Sequence, residues 1–114
     1  MVFVESRSFT RRLFQLAGGE ADSVLAGIQN DLMENPRRGR MVPGLGGIRK
    51  ARMSNPSRGQ GKRGGFRYLY LHLETRQHIH LLFLLDKNEQ EDASEEQRRQ
   101  IRGMAAQIKR EAGG

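Results

Sequence analysis

The chemistry open to this chain is set by where its basic residues stand. Lys50 and Arg52 lie two apart in GGIRKAR, and Arg67 follows the glycine pair of GKRGGFR. Arginine can clamp a phosphate through two parallel N–H bonds and stabilise charge developing on it. A lysine can transfer a proton where burial and neighbouring cations favour its neutral form, and Arg52 and Arg67 are such neighbours for Lys50. Acid-based catalysis has little support, because no acidic residue occurs from Asn35 to Leu73 and the serines fall in loops or caps. The chain has no cysteine, which removes thiol nucleophiles, disulfides and Cys-based zinc sites together. The groups left are Lys, Arg and Tyr. They suit phosphodiester cleavage through an RNA 2′-hydroxyl, which needs neither a metal nor an enzyme nucleophile.

The overall charge points the same way. Twenty Lys and Arg oppose thirteen Asp and Glu, a formal net charge of +7. Ten of the basic residues lie in the acid-free stretch: Arg37, Arg38, Arg40, Arg49, Lys50, Arg52, Arg58, Lys62, Arg63 and Arg67. Such a block repels itself, so a polyanionic or acidic partner is the expected reason for it. Two other motifs carry less. His72, His78 and His80 could supply imidazoles to a metal, but an HxH pair on a polar strand edge is common and no metal site is expected. The glycines of PGLGGIRK precede a strand with the wrong spacing for a dinucleotide loop, and read as a turn.

Positioning these residues requires strands. VFVE at the start is β-prone, and Ile48 to Met53 alternates Ile48, Lys50 and Arg52 against Arg49, Ala51 and Met53. Phe66 to Glu74 is the clearest strand, with Phe66, Tyr68, Tyr70 and His72 on one side and Arg67, Leu69, Leu71 and Leu73 on the other. IHLLFLL, residues 79 to 85, is apolar on both faces, as a covered central strand would be. Ser8 is expected to cap a first helix carrying Phe9, Leu13 and Leu16, which Gly18-Gly19 breaks. A second helix is expected from about Glu20 to Glu34, stopped by Pro36. Ser94 and Gln97 form a capping box ahead of Ile101, Met104, Ala105 and Ile108. The order is β-α-α-β-β-β-α: an α+β fold with a mainly antiparallel sheet, covered by an N-terminal helix hairpin and joined by a C-terminal helix. One domain over residues 1–114 is expected. No run reaches the ~20 apolar residues of a membrane span, and the N-terminus has no signal-peptide h-region, so a soluble cytoplasmic protein with no membrane partner is expected.

Taken in order, VFVES, ENP before the basic loop, GLGGIRKAR, GKRGGFRYLY and DKNEQEDAS resemble the RelE/HigB toxins of bacterial toxin–antitoxin systems, within the RelE/ParE superfamily. The resemblance is read over residues 2 to 101. The resemblance implies the RelE-like β-α-α-β-β-β-α fold and a ribosome-dependent mRNA interferase that inhibits translation, acting without metal or other cofactor on mRNA in the ribosomal A site. It implies Lys50, Arg67 and Lys87 as catalytic residues: proton transfer by Lys50, phosphate stabilisation by Arg67, and charge stabilisation or leaving-group protonation by Lys87. Arg49, Arg52, Lys62, Arg63, Tyr70 and Asn88 are the expected nucleic-acid contacts. Asn88 stands where the best-studied branch has arginine, and Ser94 falls near a late tyrosine of that branch. The implied partner is a cognate antitoxin with a helix-turn-helix and an acidic contact surface, through which alone operator DNA would be reached. Two alternatives stay open: a ParE-like toxin that inhibits gyrase by binding, and an RNA- or ribosome-binding module without activity.

Overall fold

A computed structural model describes residues 1–53, 65–87 and 89–113. Its elements are β1 (Val2–Glu5), α1 (Arg7–Ala17), a 3-10 turn (Gly18–Glu20), α2 (Ala21–Glu34), β2 (Arg40–Met41), β3 (Ile48–Arg52), β4 (Phe66–Leu73), β5 (His78–Asp86) and α3 (Glu95–Gly113). The expected α+β architecture is present, with one strand more than expected. The additional strand, β2, overlaps Met41-Val42, a pair whose sequence permits a short strand but which the order β-α-α-β-β-β-α does not count. Among the described residues, five strands form one sheet in the order β1-β5-β4-β3-β2. β1 runs parallel to β5 and every other pairing is antiparallel.

The sheet has a core on each face. On one, α1 and α2 set Phe9, Leu13, Val24, Ile28 and Leu32 against Ala51, Tyr68, Tyr70, Ile79 and Leu81. On the other, α3 sets Ile101 and Ala105 against Ile48, Leu69, Leu71 and Phe83. Burying a Leu, Ile or Phe side chain is worth about 1.5–3 kcal/mol, so each helix layer is held by several such contributions. The lack of alternation in IHLLFLL has a specific cause. Leu69 pairs with Phe83 and Tyr70 with Leu81, so Leu82 is an inserted bulge residue. Leu82 and Phe83 therefore both face α3, whereas Leu81 and Leu84 face the helix hairpin.

The helix ends differ from the sequence reading at one point. Ser6, not Ser8, caps α1: its Oγ accepts from the Phe9 N–H at 2.9 Å and donates to the Leu82 carbonyl at 2.9 Å. The chain turns from strand to helix within one residue, so the cap falls earlier and also stitches α1 to β5. Gly18 ends α1 at a φ of +55°, a conformation glycine adopts without steric cost. α3 has the expected capping box, with Gln97 N–H donating to Ser94 Oγ at 3.1 Å and Ser94 N–H donating to Gln97 Oε1 at 2.8 Å. No helix among the described residues is long and apolar enough to cross a membrane.

Candidate functional site

β3 and β4 bring the charged residues together. Lys50 pairs across with Leu69 and Arg52 with Arg67, so all three cations lie on the sheet face that α3 covers further along. β2 adds Arg40 opposite Lys50 on the same face. Leu69 and Leu71 pack under α3 beside Ile101 and Ala105, which leaves Arg67 on the open end of that face. A cleft of about 1120 Å³ opens there, its described lining including Arg38, Arg40, Lys50, Arg52, Arg67 and Asp92. Val42 and Pro43 add an apolar wall.

Arg52 and Arg67 stand directly opposite each other in the register, an arrangement that destabilises a sheet. Arg67 is half-buried, and its Nη1 comes only to 3.5 Å of the Gly65 carbonyl. A guanidinium held this way keeps donors available to an anion. Lys50 behaves differently: its Nζ is 3.2 Å from Asp92 Oδ1. Asp92 also accepts from the Ala93 N–H at 2.9 Å. Desolvation alone would raise the Asp92 pKa, but the Ala93 N–H, Lys50 and Arg98 together hold it below the usual carboxylate value.

Other expected site residues sit elsewhere. Lys87 is exposed where β5 ends, its N–H donating to the Gly65 carbonyl at 2.9 Å, and it is not part of the described lining of the cleft. Arg49 faces the opposite side of β3, where its Nη1 donates to the Gly39 carbonyl at 2.7 Å. Tyr70 is fully buried, accepts from the Gly39 N–H at 3.0 Å and donates to the Pro36 carbonyl at 2.7 Å. Burial raises its pKa, and no face of the ring is open to a base. Arg49 and Tyr70 thus form a clamp on residues 36–39, the link that delivers Arg38 and Arg40 to the cleft. Gly39 suits that clamp, because a Cβ would lie a tight 3.0 Å from both the Lys50 carbonyl and the Tyr70 ring and would push its neighbours apart. Lys62, Arg63 and Asn88 lie outside the described residues. Arg38, Arg40 and Asp92 are the site residues that strand alternation did not single out. Arg40 becomes visible only through its pairing with Lys50, and Asp92 only through the fold of the turn before α3.

The histidines do not converge. His78 and His80 pair with Leu73 and Leu71 on one face, while His72 pairs with Ile79 on the other. Among the described residues no group of three or more His, Cys, Asp or Glu is placed to hold a metal ion.

No family model matches the sequence. Solved structures do match. The isolated E. coli RelE toxin superposes with a TM-score of 0.53 at 12% identity, covering 90% of this chain and 97% of that one. The fold is that of RelE. A mutant of E. coli RelE in the free state gives a TM-score of 0.54 at 12% identity, over 79% of this chain and 86% of that one. The intact E. coli RelBE toxin–antitoxin complex gives 0.53 at 11% identity, over 75% and 94%. The RelE-like scaffold therefore extends over most of the chain, while the side chains upon it are largely this protein's own.

Proposed function

We propose that this protein is the toxin of a toxin–antitoxin pair and cleaves mRNA on the ribosome in the cytoplasm. The observation that carries the reading is the convergence of Arg40, Lys50, Arg52 and Arg67 on one open sheet face of a RelE-like fold. In this reading a phosphate of the strand sits between Arg52 and Arg67, whose like charges repel until an anion separates them, and one of its oxygens meets Lys50 on the same face. The RNA 2′-oxygen loses its proton and bonds to phosphorus, and the P–O5′ bond breaks. The leaving 5′-oxygen takes up a proton, leaving a cyclic 2′,3′-phosphate. Arg67 and Arg52 stabilise the added charge on the phosphorane, a role worth about 2.7–4 kcal/mol when one donor is removed from comparable sites. Lys50 transfers a proton, and Lys87 stabilises or protonates the leaving group. No step calls on a metal. The partner is an antitoxin whose acidic surface covers the basic face.

Inducible expression followed by mapping of mRNA 5′ ends tests this. Codon-phased cuts are expected with the native chain, falling about a hundredfold or more in Arg67→Ala. Intact mRNA accompanied by a DNA-damage response would overturn the nuclease reading in favour of gyrase inhibition.

A further inference from the structure

The cleft already contains an anion. Asp92 Oδ1 lies 3.2 Å from Lys50 Nζ and accepts the Ala93 N–H at 2.9 Å. The turn around it is tied down, since Gln90 Nε2 donates to the Asp92 carbonyl at 2.7 Å and to Gln97 Oε1 at 3.0 Å. Gln97 in turn belongs to the capping box of α3. The backbone of Asp92 is thus tied to the helix start, and its carboxylate is held by the Ala93 N–H and Lys50. A carboxylate oxygen and a non-bridging phosphate oxygen ask the same thing of an ammonium group: a negative acceptor at hydrogen-bond distance. The Asp92 side chain is 56% exposed and that of Lys50 25%, so the lysine is the enclosed partner and the carboxylate closes it from the solvent side.

We propose that Asp92 is a built-in competitor for the substrate phosphate at Lys50, so that RNA enters the site by exchanging one anion for another. The proposal rests on the phosphate-binding reading given above. Its consequence is selectivity. A loosely held anion that meets Lys50 alone gains little over Asp92, whereas a strand that also engages Arg52 and Arg67 gains enough to displace it.

Asp92→Asn separates charge from the turn hydrogen bond, because the amide oxygen still accepts the Ala93 N–H. Binding of a 2′-O-methyl oligoribonucleotide, which cannot be cut, would be followed by fluorescence anisotropy against salt. The variant is expected to bind roughly threefold to tenfold more tightly at about 50 mM salt, with a log–log slope steeper by about 0.7, the increment for one further phosphate neutralised. In a Lys50→Ala background the gain should vanish, since Asp92 acts through Lys50. A steep native slope with unchanged or weaker binding by Asp92→Asn, at an unaltered melting temperature, would overturn the competitor role alone. A gain that persists without Lys50 would overturn it as well. A native slope near zero would overturn the phosphate reading and this proposal with it. Should Asp92→Asn lower the melting temperature, Asp92→Ser supplies the same comparison with a smaller acceptor.

Discussion

Arg52 and Arg67 face each other across β3 and β4 with no acid between them in the register. Like charges directly opposite on a sheet cost a few tenths of a kcal/mol to about 1 kcal/mol, so this pair is held against stability. Arg52→Gln is therefore expected to raise unfolding stability by up to about 1 kcal/mol in urea titrations while weakening RNA binding. A loss of stability would show that Arg52 is a structural residue. The pair was legible in the sequence as two strand-phased cations, because period-two alternation fixes the face of every residue once the strand is right. Tyr70 was not legible in the same way. Alternation placed it correctly on the Phe66 side, but its role depends on Gly39, thirty-one positions away, whose N–H it satisfies. A buried aromatic with a polar end reads alike in sequence whether it meets a base or a backbone amide.

At the level of elements, the strands and helices followed from local pattern, and the exceptions have local causes. β2 has two residues and is defined by its partner rather than by its own sequence. The bulge at Leu82 shifts the phase of β5 midway, which no uniform alternation can describe. The start of α1 moved to Ser6 because that hydroxyl serves the helix and the sheet together. Ser6→Ala is accordingly expected to cost about 1–2 kcal/mol in chemical denaturation, at the upper end for a cap, whereas Ser8→Ala should change stability by less than about 0.5 kcal/mol. Equal losses at both positions would restore the later cap. α3 matters to the site twice over. Its body covers Leu69 and Leu71, and the turn that leads into it, tied to Gln97 through Gln90, carries Asp92 beside Lys50.

For the whole molecule, pH dependence follows from the histidines, since His72 and His80 each have a pKa lowered chiefly by burial. Glu74 opposes the shift at His72, while Arg37 and Arg49 add to it; His78 adds to it at His80. A histidine held neutral in the fold contributes fully above its unfolded value of about 6.5, and that contribution is lost as pH falls through the folded value. Stability should therefore decline as pH is lowered from about 7 towards 5, and the decline should flatten in His72→Gln/His80→Gln. An unchanged profile in that double variant would assign the acid sensitivity to other groups. The sheet order has a separate consequence, for the timing of folding. β1 precedes every other described element and, among the described residues, pairs with β5 alone, so Val2 finds His78 and Glu5 finds Leu81. Contacts of such long sequence separation close late and slowly. During synthesis Lys50 and Arg52 emerge well before β5 exists to complete the sheet behind β4, and Asp92 follows later still. A chain that leaves the ribosome in this order carries its cations on an unfinished scaffold until β5 has been made. Assembly of the cleft is thereby deferred until β5 and the turn carrying Asp92 have been made, and a truncated product ending before β5 has the basic residues without the full sheet behind them.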